Sequence, residues 1–307
     1  MIVAYIDAYK HQFGVEPICR VLRDHHVPIA PSTYYAHKSR PRSARSLSDE
    51  RLLPIVKTVH RENYSVYGVR KMWHALRRRG EALGRDQVAR LMRAAGLRGV
   101  SRRRRMRPNV PALPVFRAPD LVQRSWVRHA PDVVWVADFT YVPTREGWVY
   151  VSFLQDAFSR RILGFVVAAG KTAALVTRTL LQAVNVRQRS SASFVADGVI
   201  VHSDAGSQYT SLAFTEKLLD LGLAPSIGRV GTAYDNALIE STIGSYKTEL
   251  VHRRGHGWDG REDIELATAR WVAWFNHQRL HEHLGYSTPI EIEEAYIHQQ
   301  GLPRQAA

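Results

Sequence analysis

The spacing of apolar residues changes near position 131. Before it, hydrophobic positions recur at helical intervals. In RDQVARLMRAAGL, Val88, Leu91, Met92 and Ala95 fall on one face of a helix, and Gly96 is placed to close it as a left-handed cap. Tyr67 to Arg79 predicts the preceding helix, with Gly80 to Gly84 as the turn between them, and Ser48 is a candidate cap for a helix running to about Glu62. Residues 1 to 40 predict a smaller helical unit: a helix to about His26, the breaker VPIAP, and a second helix in STYYAHKS with Ser32 as its cap. The polar stretch KSRPRSARS links the two regions.

From Pro131 onward the pattern is that of strands. VVWVADFTYV, GWVYVSFLQD and RILGFVVAA are aromatic and β-branched runs separated by PTRE and AFSRR, which predicts an antiparallel three-strand meander. A helix from Thr172 to about Val186, a strand VIVHSD, a helix from Ser207 to Leu221, a strand LAPSIG and a helix capped by Asp235 follow. The fold expected is α/β, a mixed five-stranded sheet with helices in the ribonuclease-H-like order, preceded by a basic helical region. The expected domains are 1–45, a small helical unit; 46–107, the basic helical region and an arm; 120–254, the α/β core; and 255–307, a helical extension that includes DIELATARWVAWFNHQ.

Charge narrows the class of partner. The chain carries 43 Lys and Arg against 28 Asp and Glu, a net charge of +15 over 307 residues. Residues 67 to 107 hold 14 Lys and Arg and two acids, Glu81 and Asp86, whereas residues 134 to 250 hold ten of each. A basic module therefore precedes a balanced one, as expected for a protein that binds a polyanion through its phosphates. Two helices joined by a short glycine-containing turn, with Arg85, Arg90 and Arg93 off the apolar stripe of the second, suit a helix-turn-helix that enters duplex DNA. The competing reading is a basic hairpin packed on the domain that follows. Arg102, Arg103, Arg104 and Arg105 then read as an extended arm along phosphates, and a solvated charged face is the bland alternative.

No segment approaches the roughly 18 apolar residues of a membrane span, and the start does not resemble a signal peptide. A cytoplasmic, nucleoid-associated protein is expected. Cys19 is the single cysteine, so no internal disulfide and no cysteine-rich zinc site can form, and a place in the local core is expected for it.

Three acids stand out. Asp138 interrupts an apolar strand, where a charge needs a cation or a partner; Asp204 follows VIVH at a strand end beside Gly206; Glu240 lies inside the helix that Asp235 would cap. Strand centre, strand end and facing helix can aim carboxylates at one point, which two divalent metals require for phosphoryl transfer. Taken singly, each acid has a bland structural reading. Asp156 is read as fixing a turn, Asp197 as a loop residue and Asp235 as the cap. His202, Gln208 and Tyr209 surround Asp204, as site support or as structural groups. Lys247 lies seven residues beyond Glu240, two turns along the same helix face, suited to a phosphate or else a plain surface lysine. His277, His281 and His283 lack an evident fourth ligand for zinc.

The strings WVADFTYV, HSDAGSQYTS, DNALIESTIGSYKTEL and FNHQRLHEHLGYSTPIEIE closely resemble the catalytic frame of bacterial insertion-sequence transposases of the IS-three type, relatives of retroviral integrases, over about residues 50 to 295. The resemblance implies a ribonuclease-H-like core with a DDE triad of Asp138, Asp204 and Glu240. It further implies two Mg²⁺ or Mn²⁺ ions, Lys247 near element-end DNA, and a helix-turn-helix within 50 to 100. Expected partners are double-stranded DNA, as element ends and as target, further copies of the chain on that DNA, and the product of an upstream frame that supplies end recognition and a coiled coil. No heptad repeat occurs here, as suits the downstream frame. The activity expected is metal-dependent DNA cleavage and strand transfer. The rivals are a catalytically silent DNA-binding regulator and a ribonuclease acting on RNA–DNA hybrids.

Overall fold

In the computed structural model the described residues are 2–101, 118–122, 129–190, 194–228, 236–254 and 257–301. They form two units, residues 1–55 and 56–307. In the first, α1 (Ile2–Phe13) and α2 (Val15–Asp24) are separate helices, because Gly14 at φ 78° breaks the single helix expected there. α3 (Pro31–Ser39) starts on Pro31 in its first turn, preceded by Ala30, so Ser32 lies inside the helix and does not cap it. Ile6, Ile18, Cys19 and Tyr34 are buried together, which places the lone thiol in the core as expected. Asp7 joins α1 to α3 by accepting from Tyr34 Oη at 2.8 Å and Lys38 Nζ at 3.0 Å.

α4 (Ala44–Glu62) begins ahead of Ser48, and Ser43 takes the capping role by accepting the Ser46 N–H at 3.1 Å. α5 (Val69–Arg78) and α6 (Arg85–Ala94) bury Met72, Leu76, Val88, Leu91 and Met92, and Trp73 Nε1 bonds the Leu83 carbonyl across the turn at 2.8 Å. Gly96, at φ 67°, has the left-handed conformation expected of it.

The sheet has the order β3-β2-β1-β4-β5. β1 (Val134–Thr144), β2 (Gly147–Asp156) and β3 (Ile162–Ala168) form the antiparallel meander; β4 (Ile200–Ser203) runs parallel to β1, and β5 (Ala224–Ile227) parallel to β4. α7 (Ala173–Ser190) and α8 (Leu212–Asp220) pack on one face around Trp135, Leu154, Leu180 and Phe214. α7 sits so close to β3 that a Cβ on Gly164 would fall 2.5 Å from the Thr179 carbonyl oxygen. α8 starts later than the Ser207 expected, because residues 207–210 form a turn and Ser211 supplies the cap to Phe214 N–H.

The other face carries α9 (Ala237–Glu249) and α10 (Arg261–His277), whose Tyr246 and Trp271 stack edgewise on Phe153 of β2. α11 (Pro289–Gln299) closes the described chain, with Thr288 and Glu291 forming a reciprocal capping box.

The basic hairpin leans on the segment between α10 and α11. Arg78 makes a two-pronged pair with Glu291 at 2.8 and 3.0 Å and also bonds the Tyr286 carbonyl, Arg70 reaches Glu282 at 2.5 Å, and His74 stacks on Tyr286. The Leu280 N–H donates to Tyr67 Oη at 2.8 Å. The packing reading of this hairpin therefore holds for α5.

Candidate active site

β4 pairs with β1 only from Val134↔Ile200 to Ala137↔Ser203. Asp138 and Asp204 are the next residues on those two neighbouring strands. Adjacent strands lie about 4.8 Å apart, so the register sets the two acids side by side where the sheet opens. Asp138 is half-buried opposite Phe153, on the face that carries α9. Its Oδ1 accepts the Phe139 N–H at 2.7 Å.

Asp204 reaches solvent, and its Oδ1 accepts the Gly206 N–H at 3.0 Å. A Cβ at Gly206 would lie 2.9 Å from that oxygen, so glycine permits the close approach. The protein around Asp204 disfavours its charge and raises its pKa, against the opposing pull of Gly206 and His202. Tyr209 is tied to both acids: burial first, then the charges of Asp138 and Asp204, push its hydroxyl well above its usual value.

Glu240 is the fourth residue of α9 and is exposed. The helix begins after Asn236, while Asp235, expected to cap it, lies outside the described residues. Asn236 is buried, and its Nδ2 donates to the Ala137 carbonyl at 3.4 Å, one residue before Asp138. One turn further on, Thr242 Oγ1 donates to Gln155 Oε1 of β2 at 2.8 Å. These ties hold the start of α9 on β1 and β2. Among the described residues, however, no three His, Cys, Asp or Glu side chains converge closely enough to hold an ion. The structure brings Asp138 and Asp204 together and sets Glu240 on the helix facing their strand, short of a closed ligand set.

His202 is buried, with Nδ1 at 2.9 Å from Ser226 Oγ and 3.9 Å from Asp120. It belongs to a structural network that also takes in the Leu121 N–H. Gln208 bonds the Lys171 carbonyl at 3.1 Å and keeps its oxygen beside Gly206. Lys247, in the last turn of α9, lies 4.7 Å over the ring of Tyr141, which meets Trp148 edge to face. Both aromatic rings are about half exposed, and sequence reasoning passed over them, although two large aromatics on a hairpin tip were the available signal.

Arg85 and Arg93 are exposed on α6, and Arg90 is half-buried. Arg102, Arg103, Arg104 and Arg105 lie outside the described residues, as does the arm they were assigned to. Asp156 does fix its turn, accepting from Ser159 N and Oγ at 2.7 and 2.8 Å, and it is fully buried. It also lies 3.9 Å from Arg187, which makes a two-pronged pair with Glu293 at 2.7 and 2.8 Å. This buried ionic knot, unforeseen from the sequence, ties α11 to the sheet. His281 is buried against Arg279 and the Phe275 carbonyl; burial drives its pKa well down, as befits a structural histidine.

Residues 128–233 and 221–289 match integrase core domain families, and residues 48–105 match an HTH-like domain. The transposase for insertion sequence element IS629 of Shigella sonnei is 43% identical over 98% of this chain and 99% of its own. A Mycobacterium tuberculosis (strain CDC 1551 / Oshkosh) protein described as a transposase of IS986/IS6110 is 47% identical over 90% of this chain and 99% of its own. The crystallised catalytic core domain of BIV integrase resembles the chain loosely, at 19% identity and a TM-score of 0.40, covering 55% of this chain and 98% of its own. Near-full-length identity to such relatives, with integrase-core and HTH-like matches laid over the two regions described, means that the chain belongs to the insertion-sequence transposases of the DDE and integrase superfamily.

Proposed function

We propose that the chain cuts DNA and joins strands by in-line phosphoryl transfer, with Asp138, Asp204 and Glu240 holding the metal ions and no covalent enzyme intermediate. The observation that carries this is the β1–β4 register, which ends at Ala137↔Ser203 and leaves Asp138 and Asp204 adjacent at the open end of the sheet. The donor set fits Mg²⁺ or Mn²⁺, because all three groups are oxygen ligands and Asp204 is held in surroundings that disfavour its charge without a cation. When bound, two ions about 4 Å apart would activate water or a 3′ hydroxyl and stabilise the leaving oxygen.

The chain's own groups do the positioning. Asn236 and Thr242 hold α9 on the sheet, Gly206 lets the Asp204 carboxylate fold back against its own loop, and Gln208 braces that loop against residue 171. Lys247, with its charge over Tyr141, is suited to a phosphate of element-end DNA, and Arg85, Arg90 and Arg93 on α6 to further duplex contacts. Action as an oligomer on DNA, with the upstream-frame product fused or associated, is part of the same reading and rests on the family resemblance. The deciding experiment is cleavage and joining of labelled element-end DNA in Mg²⁺, with and without that product. Metal-dependent nicking is expected; binding with no cleavage under either condition points instead to a silent regulator.

A further inference from the structure

The helix that carries Glu240 lines a second hollow on another of its faces. A cavity of about 420 Å³ lies between α9, the first turns of α5, the β2–β3 turn and the segment after α10. Ser241 and Ser245 of α9 line it, four residues apart and so on one helix face. Lys71, Arg160, Arg279 and His281 line it as well.

The charges in this cavity do not balance. Arg279 is neutralised by Glu249 at 2.6 and 2.9 Å, and Glu282 at the rim is engaged by Arg70. Neither Lys71 nor Arg160 makes an ion pair or a side-chain hydrogen bond among the described residues; Lys71 Nζ rests 5.4 Å from the Tyr67 ring centre. Burial, then the charge of Arg279, pushes the Lys71 pKa down to about 8, as expected of a cation short of counter-charge. Arg160 stands in left-handed backbone, at φ 66°. A non-glycine residue persists there only where its surroundings over-determine it. The Arg160 N–H donates to the Asp156 carbonyl at 3.1 Å, and Gln155 Nε2 donates to the Arg160 carbonyl at 2.5 Å. Gln155 is the same side chain that ties α9 through Thr242. The turn is thereby built to hold an under-neutralised arginine beside the serine face of α9.

We propose that this cavity is an anion site that takes a backbone phosphate of DNA, through Lys71 and Arg160 with the hydroxyls of Ser241 and Ser245, on the face of α9 next to Glu240. The inference rests on DNA being the substrate. A polymer suits the site better than a lone ion, because a second hollow of about 490 Å³ shares Lys71, Ser245 and Arg279 and extends the groove past the start of α5. Two cations and two hydroxyl donors match the charge and the acceptor oxygens of a phosphodiester.

The test is binding of a labelled duplex carrying a single-stranded 3′ extension, titrated against salt in EDTA so that the carboxylate assignment plays no part. Lys71→Gln with Arg160→Gln is expected to weaken binding at least tenfold and to flatten the log–log salt slope by up to about 0.9 per cation removed. Ser245→Asp, which adds an opposing charge without touching either cation, is expected to weaken binding too, and thermal melting verifies that each variant is folded. Unchanged affinity and slope in folded variants overturn the proposal. So does displacement of DNA from the unaltered protein by low-millimolar inorganic phosphate at constant ionic strength, which would mark a site for small anions. If binding falls as expected while the unaltered protein proves unable to cleave in Mg²⁺, the phosphate site stands and only the catalytic reading fails.

Discussion

The side-chain amide of Asn236 donates to the carbonyl oxygen of Ala137 at 3.4 Å, so the first residues of α9 are fastened to β1 immediately before Asp138. Asn236→Ala removes this tie from a buried position. It is expected to cost about 0.5–1.5 kcal/mol of stability and to slow strand joining by more than that loss explains, because α9 also carries Glu240. Melting temperature and joining rate measured on the same preparation check this; equal, small effects on both would make Asn236 a structural residue only.

Asp138→Asn, Asp204→Asn and Glu240→Gln each remove a charge while keeping the side chain's bulk. Each is expected to abolish cleavage and joining and to leave circular dichroism and DNA affinity in EDTA nearly unchanged. Full activity in any one of them takes that residue out of the metal-binding set.

Gly206→Ala puts a Cβ 2.9 Å from Asp204 Oδ1. The backbone there is not left-handed, so folding should tolerate alanine while the carboxylate is displaced. Cleavage is expected to fall well over tenfold with a melting temperature within a few degrees of the original. Unaltered cleavage kinetics would show that the position of Asp204 is not critical.

Arginines of the basic hairpin divide into two kinds. Arg78→Ala breaks a half-exposed pair with Glu291 and is expected to cost at most about 1 kcal/mol of stability with little change in DNA affinity. Arg85→Ala with Arg93→Ala, both exposed on α6, should do the reverse, lowering affinity and the salt slope. Lys247→Ala is expected to weaken end-DNA binding and joining more than stability. Salt titrations paired with thermal melts separate the two kinds, and the same pattern from both sets of arginines would refute the division.

The Arg187–Glu293 knot predicts a pH effect. Burial alone would raise the Glu293 pKa, but the charges and hydrogen bonds of Arg187 and Arg161 outweigh it and hold the value at about 2, below the ordinary 4.5. Its contribution is therefore complete above pH 4.5 and fades as pH falls toward 2. Asp156, raised by burial to about 6, acts oppositely, weakening the fold as pH rises from 3.8 toward 6. Glu293→Gln leaves a buried arginine without its main partner and is expected to cost about 3–5 kcal/mol at neutral pH. It should also flatten the loss of stability between pH 4.5 and 2 seen in the unaltered protein. Parallel acid-denaturation curves for the two proteins would count against this assignment.

The amino-acid sequence by itself determined the order of elements and the candidate acids. Alternation in VVWVADFTYV and the helical stripe of Val88, Leu91 and Met92 are local, since each residue's face follows from the periodicity of its own backbone. Helix starts were less legible: Ser48 and Ser32 are competent caps, but Ser43 and Pro31 lie further upstream and start the helices first. Only the tertiary structure decided that β4 ends level with Ala137, which sets Asp138 beside Asp204, that Arg78 and Arg70 are drawn to Glu291 and Glu282 from more than 200 positions away, and that Arg187, Glu293 and Asp156 share one buried knot. Such pairings depend on where the folded chain brings distant segments into contact and on what burial does to their charges, and neither is encoded in the spacing of neighbouring residues.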